Sequence, residues 1–290
     1  MKKRSVIFIF LILILFGVLY FKTDKKEQDN NLLKNEEKYE IINPEGNTVE
    51  TRIVVPLGFK RMDTGDFGRF LREYPVKEDK GPVLLYNGEK KRNQKAHAAV
   101  LNLPIEPENL QQCADSVMRI YAEYFWQRGE YEKIAFHFTD GFLAEYSKWR
   151  DGFRIKIEGN KESWIKSKEP DSSYECFQSF MRLVFSYAGT LSMENEAQKI
   201  EFSQIAPGDV FLQGGSPGHV VMVLDICENE NGKKAILLAQ GYMPAQEFHI
   251  LKNPEHGDDP WYYEDEITYP LKTPEYTFEK ESLKHLCYLD

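Results

Sequence analysis

Several common signatures are missing from this sequence, and each absence removes a class of function. There is no glycine-rich phosphate loop of the Walker or dinucleotide type, so nucleotide-handling folds built on such loops are not indicated. The four cysteines, Cys113, Cys176, Cys227 and Cys287, are widely spaced with no C-x-x-C pair, which argues against a zinc site. His137 with Asp140 supplies only two ligands, too few for a metal centre, and no cofactor is implied. Basic charge is in deficit: 37 Lys and Arg stand against 46 Asp and Glu, a net charge of −9. Nucleic-acid binding rests on phosphate neutralisation by basic residues, so no nucleic-acid partner is expected. There is no internal repeat and only one long apolar run.

That run lies at the start. Lys2-Lys3-Arg4 precedes Val6 to Phe21, and Lys22 ends it. It is near the lower limit of a membrane span, which needs ~17–25 residues. No small-x-small cleavage site follows it, and Gly17-Val18-Leu19-Tyr20-Phe21 is bulky. Residues 1–21 therefore read as a signal anchor with its basic end in the cytoplasm, and a cleaved signal peptide is the alternative. Residues 22–38 are charged and polar and read as a flexible linker. Residues 39–290 are expected to form one exported globular domain facing the periplasm or cell envelope. An exported location permits disulfides, and four cysteines allow three connectivities.

Local patterns give the elements of that domain. Arg52 to Pro56, Val83 to Tyr86 and Ala98 to Leu103 resemble short strands. Leu110, Cys113, Ala114, Val117, Met118, Tyr121, Tyr124 and Phe125 recur at helical spacing, and Gly129 is the stop. A second helix starts near Asp171-Ser172-Ser173, where Ser172 and Glu175 fit a capping box. Phe177, Phe180, Met181, Val184 and Phe185 form its apolar stripe. Pro207-Gly208-Asp209 is a turn into the apolar strand Val210-Phe211-Leu212. A Gly/Pro loop leads to a second apolar strand that opens with His219. Asn229 to Gly232 is a hairpin turn, and Ala235 to Ala239 returns into Gln240-Gly241-Tyr242. Phe248 to Leu251 is one more strand candidate. The proline-broken tail reads as irregular wrapping, with Trp261-Tyr262-Tyr263 as aromatic core or a sugar platform.

Cysteine-hydrolase chemistry needs a thiol at a helix amino end, where the dipole and free N–H groups favour thiolate. It also needs a histidine base on a neighbouring strand and a polar group that orients the imidazole. Cys176 in the first turn of the second helix, His219 and Gln240 satisfy these demands in order. The ordered set Cys176, Ala188-Gly189, Pro207-Gly208-Asp209, His219-Val220 and Gln240 resembles the NlpC/P60 family of cell-wall peptidases over residues 171 to 242. It departs at Glu175-Cys176-Phe177, where that family carries Asp-Cys-Ser. The resemblance implies an α+β fold, with a papain-like core at about 108–251 in which an antiparallel sheet packs against helices. It also implies a cysteine hydrolase or amidase acting on cell-wall peptide or amide bonds. A catalytically silent binding module for cell-wall peptide, glycan or protein is the alternative.

A second resemblance covers nearly the whole exported part. Gln111-Gln112-Cys113-Ala114-Asp115, Phe185 to Thr190 and Leu238 to Gln246 are similar to the family known as domain of unknown function 4846. That resemblance implies an envelope-associated protein whose pattern carries a cysteine at the Cys113 position and does not insist on one at Cys176. Cys113 reads either as core or, with Asp115 and Tyr242, as lining of the site.

Overall fold

The computed structural model describes residues 39–159 and 161–289. The anchor and linker expected over residues 1–38 lie outside them. No helix among the described residues is long and apolar enough to cross a membrane.

The helices in chain order are α1 (Val49–Arg52), α2 (Gly65–Glu73), α3 (Cys113–Arg128), α4 (Tyr146–Arg150), α5 (Tyr174–Tyr187) and α6 (Thr190–Asn195). The first strands are β1 (Phe59–Arg61), β2 (His97–Val100), β3 (Ala135–His137), β4 (Leu143–Glu145), β5 (Phe153–Glu158), β6 (Lys161–Lys166) and β7 (Ala197–Lys199). Then come β8 (Val210–Gln213), β9 (His219–Asn229), β10 (Lys234–Gln240), β11 (His249–Leu251) and β12 (Trp261–Tyr263). The last are β13 (Leu271–Lys272), β14 (Thr277–Phe278) and β15 (Leu283–Leu286). The fold is mixed α+β. Its main sheet has nine strands in the order β2-β11-β10-β9-β8-β15-β7, with β1 on β9 and β12 on β10. Every ladder in it is antiparallel.

The apolar run after His219 becomes the long central strand β9, buried from His219 to Cys227. Its first half pairs with β8, and its far end, from Cys227 to Asn229, pairs with β1. Alternation sends Val220, Met222 and Leu224 to one face and Val221 and Val223 to the other. The first face carries α3 and its aromatic neighbours. The second is closed by Phe211 of β8 and by Tyr262, Leu271 and Phe278 from short strands late in the chain. The register of β9 on β10 slips between Leu237 and Leu238, which leaves Leu224 as a bulge.

Helix α3 is not the one-sided helix that its stripe predicts. Every residue from Cys113 to Phe125 is buried. Its polar residues are covered because they pair. Arg119 Nε donates to Glu123 Oε1 at 2.7 Å, and Arg119 Nη2 donates to the Tyr174 hydroxyl at 2.9 Å. That hydroxyl donates to Glu123 Oε1 at 2.6 Å, tying α3 to α5. Buried charge is tolerated where its hydrogen bonds are satisfied. A second buried charge, Asp225 on β9, takes Arg61 Nε at 2.7 Å and Arg72 Nε at 2.6 Å, which fixes α2 against the sheet.

Several local expectations change. Arg52 ends α1 rather than opening a strand, and Val83 to Tyr86 makes only isolated bridges at Leu84 and Leu85. Helix α5 is capped by Ser173, whose Oγ accepts from Cys176 N–H at 3.1 Å, and not by Ser172. The tail is not merely irregular: β12 extends the sheet beside β10, and β15 slots between β8 and β7. Trp261 and Tyr262 are buried on β12, so they are core and not a sugar platform.

Candidate functional site

The first turn of α3 docks where β9 and β10 part. The last β9–β10 pair is Met222 with Ala239; beyond it the strands are no longer paired. Gly241 then runs against the helix. A Cβ there would lie 2.4 Å from Ser116 Oγ and 2.7 Å from the Gln112 carbonyl oxygen, so only glycine allows this approach. Asp115 closes the helix start by accepting Gln112 N–H at 2.9 Å. Cys113 is the first helical residue, and the N–H groups of Ala114 and Val220 lie near enough to its thiol to favour the thiolate slightly. The thiol therefore lies near Val220, the residue that follows His219 on β9.

His219 opens β9 and is 2% exposed. Its Nε2 lies 2.7 Å from Gln240 Oε1 across the sheet. Gln240 Nε2 donates to Glu275 Oε2 at 2.8 Å. The same Glu275 oxygen receives Lys91 Nζ, which also lies 3.1 Å from His249 Nε2. Because Gln240 turns its carbonyl toward His219, the imidazole carries its proton on Nε2. Nδ1 is left as a lone pair, and no described residue hydrogen-bonds it. Tyr242 meets the ring edge-on at 4.7 Å, and Tyr276 and Phe278 lie at 4.9 and 5.9 Å between centroids. Tyr242 and Tyr276 also lie within electrostatic range of Cys113.

Burial sets the charge states. It pushes the Cys113 thiol up to about 11, with Asp115 adding to the rise and the N–H groups opposing it. It pulls His219 down to about 4, with Lys91 adding to the fall. Near neutrality the pair is thus thiol and neutral imidazole. The imidazole is therefore unprotonated at its second nitrogen, and the two groups do not form an ion pair. Burial also pushes the Asp115 carboxyl up to about 8. It lowers Lys91 as well, against the opposing pull of Glu275.

The other predicted thiol keeps different company. Cys176 is 4% exposed, and its surroundings are Asp171, Arg154 and Trp149, none of which borders His219. Burial raises this thiol also. Cys176 therefore keeps company with α5's own surroundings, whereas Cys113 lies near Val220, the neighbour of His219 along β9. Tyr242, predicted as lining, does border the imidazole. Asp115 serves the helix start. His137 pairs with Glu196 at 2.7 Å rather than with Asp140, and no metal-binding cluster occurs among the described residues. Lys91 and Glu275 were not singled out by any sequence pattern; they are 184 residues apart and meet only through folding.

Two pockets lie elsewhere. One of about 420 Å³ is walled by His256, Tyr262, Tyr263 and Glu266, and one of about 410 Å³ by Tyr74, Glu123, Gln127 and Tyr174. Neither includes Cys113, His219 or Gln240. Among known proteins, one family model, described as domain of unknown function (4846), matches residues 49–285. No curated protein and no solved structure matches the chain.

Proposed function

The chain belongs to the domain of unknown function (4846) family, and from that premise and the geometry around His219 we propose that it is a cysteine hydrolase or amidase with a papain-like, NlpC/P60-type core. Cys113 is the nucleophile, His219 the base and Gln240 the orienting group. The observation that carries this reading is the 2.7 Å His219–Gln240 bond, which leaves Nδ1 as the free basic nitrogen at the strand end where the thiol sits.

The chemistry follows from those positions. His219 Nδ1 takes the thiol proton, and the thiolate attacks an amide carbonyl carbon. The C–N bond breaks as the imidazolium returns the proton to the leaving amine, and a thioester forms on Cys113. Water, deprotonated by the same nitrogen, then releases the acid. Cell-wall peptides are the proposed substrates, in keeping with the envelope location proposed from residues 1–21.

One observation favours the alternative of a silent binding module: the Cys113 thiol is only 7% exposed and is held protonated. Incubation with cell-wall peptides and detection of newly released amino groups separates the two. Hydrolysis that vanishes in Cys113→Ala and His219→Ala and persists in Cys176→Ala supports the hydrolase. Equal turnover by wild type and Cys113→Ala sinks it.

A further inference from the structure

We infer that Glu275 and Lys91 are positioning residues that set the tautomer of His219 through Gln240; this deepens the hydrolase reading and rests on it only for the consequence in rate. A glutamine side chain offers two ends of nearly equal shape, one a donor and one an acceptor. Nothing in Gln240 itself decides which end faces the imidazole. Glu275 decides it. A carboxylate can only accept, so it takes the amide NH2 at 2.8 Å and turns the carbonyl toward His219. The reversed amide would set two acceptors 2.8 Å apart in a buried place, which is costly.

The chain of bonds continues in the other direction. Lys91 is 6% exposed and pairs with Glu275 through the same Oε2 atom. Its contact at 3.1 Å with His249 Nε2 makes that nitrogen an acceptor. His249 then donates from Nδ1 to the Glu247 carbonyl at 2.8 Å. Two buried histidines are thereby locked in opposite tautomers: His219 protonated on Nε2 and His249 on Nδ1. The charged and titratable groups facing this chain are Lys91, Glu275, His97, Tyr242, Tyr276 and Cys113, and none of them supplies a competing acceptor to His219 Nε2. Without Glu275 the amide is free to turn. The imidazole can then carry its proton on Nδ1, where it cannot act as base.

The test uses protein labelled with ¹⁵N at histidine, read by NMR near pH 7, with the iodoacetamide alkylation rate at Cys113 alongside. Wild type should show His219 as the Nε2–H form and His249 as the Nδ1–H form. Glu275→Leu should give a mixture at His219 and an alkylation rate lower by about 10-fold or more, the direction in which a mis-set tautomer acts in a catalytic triad. Glu275→Gln should restore both readouts, since one amide oxygen can accept from Gln240 and Lys91 as Oε2 does. The proposal is overturned if Glu275→Leu keeps the wild-type tautomer, or if Glu275→Gln behaves like Glu275→Leu. It is overturned without any variant if wild type shows His219 as Nδ1–H or His249 as Nε2–H. Correct tautomers in a protein that hydrolyses nothing would remove the hydrolase reading alone. Cys113-dependent hydrolysis with mixed tautomers in wild type would remove this inference alone.

Discussion

Gln240 Oε1 stands 2.7 Å from His219 Nε2, across two strands whose ladder has already ended at Met222 and Ala239. The side-chain bond spans the widening gap that the backbone no longer closes. It is also the gap into which the first turn of α3 brings Cys113.

The part of the thiol labelling that depends on His219 should fall on Cys113. Cys113→Ala is expected to remove the alkylation that depends on His219, and Cys176→Ala to leave it intact. The readout is mass spectrometry of the labelled peptides after iodoacetamide treatment. Labelling at Cys176 that depends on His219 would reverse the assignment.

Reaction at Cys113 should hold steady from pH 7 down to pH 5. His219 is lowered to about 4, so the neutral base is present above that value and lost as pH falls through it. An acid limb near 6.5, where an unperturbed histidine titrates, would show that burial does not control this imidazole. The check is the pH–rate profile of alkylation and, where turnover is found, of hydrolysis.

Folding stability should fall on both sides of an intermediate pH. His97, His219 and His249 are all lowered by burial, so below about 6.5 the unfolded chain binds protons that the native state refuses. Stability is then lost as pH falls from about 6.5 towards 4. Asp115 acts oppositely. It is raised to about 8, so the native state keeps a proton that the unfolded chain has released above about 4, and stability is lost as pH rises to about 8. Asp115→Asn should flatten the alkaline side and steepen the acid side, because the opposing Asp115 slope spans both. Urea denaturation at a series of pH values measures both slopes.

Asp225→Ala should cost about 3–5 kcal/mol, because it strands Arg61 and Arg72 beside β9 with no carboxylate. The midpoint of urea unfolding reads the loss. A change under 1 kcal/mol would mean that the two guanidinium groups find water as readily as they find Asp225.

Gly241→Ala should cost about 1–3 kcal/mol by overpacking, since the added methyl meets Ser116 and the Gln112 backbone. The specific expectation is a slower alkylation of Cys113 in a protein that still folds, as α3 is pushed off the strand end.

The central part of this architecture was legible from the chain. The apolar stretches around Pro207 to Ala239 and the Asn229–Gly232 turn give β8, β9 and β10, because a buried central strand must be apolar on both faces. His219 and Gln240 stood out as polar residues closing apolar strands. The place of Cys113 was hidden by Leu110. That residue carries the helical spacing one turn upstream and packs on the core, although the helix itself begins at Cys113. Periodicity records burial and does not mark where the helix begins, so a helix-opening thiol looked like one in the middle of a stripe. The short late strands were illegible for another reason. Two to four residues carry no period, and only a tertiary partner, β10 for β12, β8 and β7 for β15, and each other for β13 and β14, makes them strands.

The chain of bonds from His219 passes through Glu275, and the strand that joins β8 to β7 is drawn from Leu283–Leu286. Helix α3 and strands β9 and β10 all leave the ribosome before these residues do. Synthesis adds about 5–20 residues per second, so the thiol, the imidazole and the amide exist for seconds without the carboxylate that aligns them. The nascent chain therefore has His219 and Gln240 before it has Glu275, and their hydrogen-bond partner arrives with the last strands to be made.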